Sequence, residues 1–324
     1  MPLSSYEVVR RAIRFQTPDR LPVSFGALGL DDIHIVNYNM ILPAGETETI
    51  DKWQCVWRRS EIANMGYVSG HPLADWRAYD RFCWPDPDDP AYYEGMDERL
   101  EGSEGKYIRT WIPILIFERL HFLRGMENLL MDFYTDFERV AELADRIVDF
   151  DVRVIRNIAE RFPGRFHGFG CTDDWGTQTS TFVDPKMWCE FFQPRYARVF
   201  DAAHDAGWDI LMHSDGRINE IMDPLIEIGL DAINLQQPLA VGIEEVGKRF
   251  AGRICFETVC DVQMTLPHKG EREIREEARM LLENWARPDG GFVLTDYGGY
   301  DAIGVSEEKR KVMLDAFLEM DPYR

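Results

Sequence analysis

The sequence predicts an α/β protein folded as a (β/α)8, TIM-type barrel with an insertion after its first strand. Three observations lead there. From about residue 108 onward, short β-rich runs alternate with longer segments of helical period, the pattern of a parallel sheet with crossover helices. The crossovers are short and the alternation persists to a C-terminal helical segment, SEEKRKVMLDAFLEM, which favours closure over an open doubly wound sheet. No G-x-G-x-x-G follows the first strand, so the dinucleotide fingerprint of the open sheet is missing.

The elements follow in order. A helical opening, SYEVVRRAIRF, and the turn signal TPD precede a first strand at 20–26, RLPVSFG. Six more strands are expected at 108–116, 165–170, 208–214, 231–236, 253–258 and 291–296, seven parallel strands in all. Asp184 with Pro185 reads as an N-cap and first-turn proline for a helix through Phe191, Tyr196, Phe200 and Ala203, which Gly207 ends. Ile218, Ile221, Met222, Leu225 and Ile226 recur at helical spacing until Gly229. Residues 27–106 break the alternation. Rich in Trp, Tyr, Pro and Asp, they read as an insertion within one single-domain chain, 1–324, placed at the C-terminal rim of the strands where it can shape a ligand pocket.

Composition narrows the function. Fifty-seven acidic against 36 basic residues give a net charge of −21, which repels phosphate backbones and anionic lipid, so neither nucleic acid nor a membrane surface is an expected partner. At 45% hydrophobic residues the chain can bury a sizeable core, and it contains no apolar run long enough to cross a bilayer. The N-terminus lacks a signal-peptide core, and the six cysteines are scattered without a CxxC pair, which together point to reduced thiols and a cytoplasmic location.

In a parallel barrel the residues just past each strand end converge on one mouth. They are Cys171, Asp173, Asp174 and Trp175; His213, Ser214 and Asp215; Gln236 and Gln237; Glu257; Asp296 and Tyr297. One histidine among several carboxylates suits acid/base work or a divalent metal. His213 and Asp215, at i and i+2 in HSDG, can point to the same side and meet one ion; a strand-end histidine satisfied by a backbone carbonyl is the alternative. In CTDDWGTQTS, an Asx-turn and helix cap account for one aspartate but not for both together with Trp175 and Gln178. Glu190 can equally be a helix-surface residue, and Glu257 can be satisfied by a backbone amide.

The segments TPDRLPV, GHPLADW, DDWGTQTS, DPKMWCEFFQPRYARVFDAAHDAG, HSDG, INLQQP and SEEKRKVMLDAF resemble the uroporphyrinogen decarboxylase superfamily over nearly the whole chain, and in particular its corrinoid-dependent methyltransferase and O-demethylase branch. The resemblance implies one barrel with its active site at the C-terminal mouth. Members that decarboxylate the tetrapyrrole carry an arginine-rich MRQAGRY-like segment after the first strand, where this chain has the acidic FGALGLDDIH. Their FSDIL-like loop and GHG-like turn correspond here to YVSGHPLADW and LTDYGGYD. Thiol-methylating members bind zinc through His-x-Cys and a distant Cys. Here Asp215 takes the first position and the second falls near Tyr297, giving a harder, more oxygen-rich site.

Members that demethylate aryl methyl ethers use carboxylate and histidine ligands, and Asp174, Glu190 and His213 fall in similar order. The resemblance therefore implies Zn2+ held by His213, Asp215, Asp174 and Glu190, and a corrinoid (cobalamin) supplied by a partner protein. The catalytic set expected is Asp173, Asp174, Glu257 and Tyr297, with substrate against Trp175, Gln178, Gln236 and Tyr300. The expected reaction moves a methyl group from a methoxylated or methylated small molecule to the corrinoid protein, in a chain that can form a homo-oligomer. The alternatives are decarboxylation of a tetrapyrrole or a different small acid, and a barrel that binds without turnover.

Overall fold

The computed structural model describes residues 2–39, 48–59 and 66–324. Eight parallel strands ring the molecule: β1 (Val23–Phe25), β2 (Ile33–Ile35), β3 (Tyr107–Ile112), β4 (Gly168–Thr172), β5 (Asp209–His213), β6 (Ala232–Leu235), β7 (Cys255–Thr258) and β8 (Phe292–Thr295). Parallel pairing runs unbroken from β2 through β8 and on to β1. A short return, Leu30–Asp31, pairs antiparallel with β1 before the chain turns at Asp32 into β2, filling the place between the first two strands. Asp32 fixes that turn: its carboxylate accepts from Val23 N–H at 3.0 Å and pairs with Arg20 at 2.6 Å, while its own N–H donates to the Val23 carbonyl. Seven of these strands follow from the sequence, and β2 is the eighth. The segment expected as insertion, 27–106, thus contains a barrel strand.

Because side chains alternate along a strand, each register fixes what enters the barrel. The inward set includes Tyr107, Arg109 and Trp111 from β3, facing Gly168 and Gly170 across the β3–β4 ladder. The pairing is of large against absent. A Cβ at Gly168 would lie 2.5 Å from the Tyr107 hydroxyl, and one at Gly170 only 2.0 Å from the Trp111 ring. Toward the N-terminal end, Ile33, Tyr107, Leu211, Ala232, Cys255 and Val293 form an apolar cluster with Val9, Ala12 and Ile13 of α1 (Ser5–Ile13), a helix begun by a Ser4/Glu7 capping box. That end is closed, and the C-terminal end is open.

Around the strands pack α2 (Phe117–Arg124), α3 (Phe137–Arg161), α4 (Gln193–Asp205), α5 (Glu271–Trp285) and α6 (Glu307–Glu319). Asp184 caps the turn before α4 as expected, accepting from Lys186 N–H. The region after β2 carries a small antiparallel sheet of Glu48–Ile50, Val56–Arg58 and Tyr67–Gly70. It is joined to α2 by buried polar contacts: Asp51 accepts from Trp57 Nε1–H at 3.0 Å and pairs with Arg119 at 3.1 Å, and Arg119 lies over the Trp53 ring. The six cysteines are free thiols. Among the described residues no helix is long and apolar enough to cross a membrane.

Candidate active site

Two loops build the site. After β4 runs Asp173-Asp174-Trp175-Gly176, and after β5 runs Ser214-Asp215-Gly216. They lie backbone to backbone. Gly176 N–H donates to Asp215 O, Trp175 N–H to Ser214 Oγ at 2.9 Å, Arg217 N–H to Thr177 O, and Asp215 N–H to Asp174 Oδ1 at 2.9 Å. This approach explains the glycine in each motif. A Cβ on Gly176 would sit 2.5 Å from Arg217 N and one on Gly216 2.2 Å from Gly176 O, and Gly216 has φ +76°.

The result is a cluster. Ligand atoms of Asp174, His213 and Asp215 all lie within 4.8 Å of one another, with His213 Nε2 at 3.7 Å from Asp174 Oδ1 and 3.9 Å from Asp215 Oδ1. His213 Nδ1 is 2.7 Å from Asn234 Oδ1, its register neighbour on β6, and an amide oxygen there can only accept. Nδ1–H therefore donates to Asn234, and Nε2 is the ring nitrogen that faces the two carboxylates. Asp215 Oδ1 is buried and, among the described residues, has no hydrogen-bond partner. Burial raises the Asp215 carboxyl above its ordinary value, His213 opposes the rise and Asp174 adds to it. Nearby, Glu118 of α2 accepts from Thr172 Oγ1 at 3.0 Å; burial, with Asp174 and Asp173 close by, pushes its carboxyl well above the carboxylate range.

His213 also opens onto a cavity of about 350 Å³ in the mouth of the barrel. Its walls include Ile33 and Ile35 of β2, Trp111 of β3, Asn234 and Gln236 of β6 and its flank, and Thr295 and Asp296 at the end of β8. Its floor is a buried ion pair across the barrel, Arg109 to Glu257 at 3.2 and 3.0 Å.

The other expected residues sort by placement. Glu257 and Gln236 reach the cavity. Gln178 Nε2–H donates to Gln237 Oε1 at 3.1 Å beside the cluster, and the charge of Asp215 reaches the phenol of half-buried Tyr297, whose pKa rises mainly through burial. Four of the expected residues are placed apart from both the cluster and the cavity lining.

Asp173 is fully buried and turned away: its oxygens accept the backbone N–H groups of Ile116, Phe117 and Glu118 and the Tyr196 hydroxyl, so it anchors the start of α2 and has no path to substrate. Trp175 is equally buried, stacked on Phe117 at 4.2 Å with its Nε1–H donating to Tyr196, so it is core and not a substrate wall. Tyr300 is 3% exposed, its hydroxyl accepting from Tyr297 N–H and its ring under Arg310. Glu190 points outward, 68% exposed and 3.7 Å from Lys186, apart from the cluster. Arg109, Trp111, Asn234 and Glu118 belong to the site without having been singled out; for the β3 pair, the alternation Arg-x-Trp inside a strand was the available signal.

The family profile of uroporphyrinogen decarboxylase (URO-D) matches residues 120–317, more than half of the chain. The chain belongs to the URO-D family. Comparison with curated protein sequences finds no match. Among solved structures, a methyltransferase from Methanosarcina mazei is similar over 98% of this chain and 99% of that one, with TM-score 0.67 and 14% identity, a likeness of fold. A glycosylated GH10 endo-β-1,4-xylanase from Gloeophyllum trabeum matches over 72% of this chain and 82% of that one, with TM-score 0.43 and 10% identity.

Proposed function

We propose that the protein is a metal-assisted methyltransferase that takes a methyl group from a methoxylated or methylated small molecule and passes it to a corrinoid carried by a separate protein. The observation that supports this reading above the others is the convergence of His213 Nε2 with the Asp174 and Asp215 carboxylates beside the mouth cavity. The donors fit a divalent ion. Two ligands roughly 2.0–2.1 Å from a tetrahedral zinc stand about 3.4 Å apart, close to the 3.7 and 3.9 Å separations here. The orphaned Asp215 oxygen is the kind of buried acceptor that a cation satisfies. One imidazole and two carboxylates, with no thiolate, suit zinc in an oxygen-rich site.

Bound there, zinc supplies Lewis acidity toward the departing oxygen or nitrogen. The rest falls to the chain. Asn234 holds His213 in the tautomer that leaves Nε2 free, and the walls of the cavity hold the methyl-bearing body with little water around it. A reduced corrinoid on the partner would supply the electron pair that bonds the methyl carbon, while the C–O or C–N bonding pair would stay on the departing heteroatom, which would take its proton from solvent at the open mouth of the barrel. The cavity gives less support to decarboxylation: the cation in its lining, Arg109, already has its charge taken by Glu257, leaving no free anchor for carboxylate groups among the described lining residues.

The test is methyl transfer to cob(I)alamin across methoxylated and N-methylated donors, followed by its spectral change. The zinc-loaded protein is expected to transfer, and H213A to lose about 100-fold or more in rate. Carbon dioxide release without corrinoid, from a panel of carboxylic acids, contradicts the reading.

A further inference from the structure

We propose that the substrate of the mouth cavity is a small, neutral, polyhydroxylated methyl ether, a sugar or cyclitol ring that carries one O-methyl group among free hydroxyls. The inference rests on the methyl-transfer reading for the group that reacts, and on the cavity lining alone for the body that carries it.

Alternation along the strands fixes which side chains enter the barrel above its apolar plug. Ile33, Tyr107, Leu211, Ala232, Cys255 and Val293 fill the N-terminal end. Two residues further along each strand, Ile35, Arg109, His213, Asn234, Glu257 and Thr295 form the next inward layer, and all six line the cavity. Another two residues on, Asn37 and Gln236 join the lining.

The hydrogen-bonding capacity of these polar groups is largely unspent. Asn37 and Gln236 accept through their backbone carbonyls, from Arg99 and from Val262 N–H, and their side-chain amides have no partner among the described residues. The Thr295 hydroxyl has none there either, and Asn234, whose amide oxygen serves His213, keeps its N–H groups available. Arg109 and Glu257 spend their charges on each other.

A primary amide and a hydroxyl each donate and accept. Their natural match is another hydroxyl, which also does both, whereas a carboxylate only accepts and an ammonium only donates. Against a wholly apolar body the same groups would lose water and gain no partner. Ile33, Ile35 and Trp111 complete the lining with apolar surface, which suits the C–H groups of a ring. At about 350 Å³ the cavity is at the small end of ligand pockets and accommodates one ring, not an oligosaccharide. His213 belongs to the same layer, so the ring and the metal-binding cluster share one cavity.

Calorimetric titration of the full chain, with and without one equivalent of Zn2+, tests the proposal with 3-O-methyl-D-glucose, pinitol (an O-methyl inositol), methoxycyclohexane and methoxybenzene. At least one of the two polyol ethers is expected to bind about tenfold or more tighter than both methoxycyclohexane and methoxybenzene. T295V, which keeps the branched side chain and removes its hydroxyl, and Q236L are each expected to weaken that polyol about five- to tenfold while leaving methoxycyclohexane within about twofold. If a variant fails to fold by circular dichroism, the order of the four probes on the wild-type chain decides. An apolar ether that binds as tightly as the better polyol, no binding of either polyol, or unchanged polyol affinity in both folded variants overturns the proposal. The expected binding order with no methyl transfer to cob(I)alamin contradicts the methyl-transfer reading and leaves the polyol preference standing. Methyl transfer from methoxybenzene and from neither polyol upholds that reading and overturns the preference.

Discussion

An imidazole can serve a metal through either ring nitrogen, and at His213 the choice belongs to Asn234. The amide sits one strand over in register, 4% exposed, with its oxygen 2.7 Å from Nδ1. N234L, which keeps the branched shape and removes the acceptor, is expected to lower zinc affinity about 10- to 100-fold, as loss of such supporting partners does elsewhere; N234D, which still accepts, is expected to stay near wild type. Competition against a chromogenic chelator measures both, and equal affinity of N234L and wild type contradicts the assignment. At this scale the sequence was readable where strand ends decide. HSDG ends β5 and DDWG follows β4, so His213, Asp174 and Asp215 could be found from the sequence. It was unreadable where a neighbour decides: nothing in the letters separates Asp173 from Asp174, because the start of α2, far away in the chain, captures one and leaves the other.

That capture has an energetic consequence for the element it holds. The Asp173 carboxylate answers three successive N–H groups at the start of α2, which would otherwise be buried donors without partners. D173A is expected to destabilise the fold by about 3 kcal/mol or more, read as a shift in urea midpoint at constant slope; a change below about 1 kcal/mol contradicts the role. In β4 the two inward glycines are matched to two large neighbours, and G168A, whose Cβ would meet the Tyr107 hydroxyl at 2.5 Å, is expected to cost about 1–3 kcal/mol through overpacking. Elements of ordinary length were legible because their periodicity spans several residues. β2 was not, since Ile-His-Ile is too short to display a period and its strand character comes from pairing with β3 across a long stretch of chain.

Over the whole molecule, one buried carboxyl outside the site gives stability a pH dependence of known sign. Glu277 on α5 accepts from Asp261 N–H and Thr265 Oγ1, and burial lifts its pKa from 4.5 to about 7. A group whose folded pKa exceeds its unfolded one favours the fold fully below the unfolded value, and this contribution is lost as pH rises through the folded value. Stability is therefore expected to fall by up to about 3 kcal/mol between roughly pH 4.5 and pH 7.5 from this group, and E277Q is expected to flatten that part of the profile in chemical denaturation. A wild-type and an E277Q profile of identical slope contradict it. The barrel itself was legible at this scale from alternation alone. The charge-neutral floor was not, because Arg109 and Glu257 meet across the barrel from distant strands.

The central claim is that Asp174, His213 and Asp215 together hold one divalent ion. X-ray absorption at the zinc edge, on protein loaded with zinc and dialysed, tests it most directly. About one zinc per chain, with only nitrogen and oxygen neighbours at roughly 2.0–2.2 Å, is predicted, together with loss of the bound metal in H213A. A spectrum with sulfur neighbours, or a wild-type chain that retains no zinc, contradicts the account.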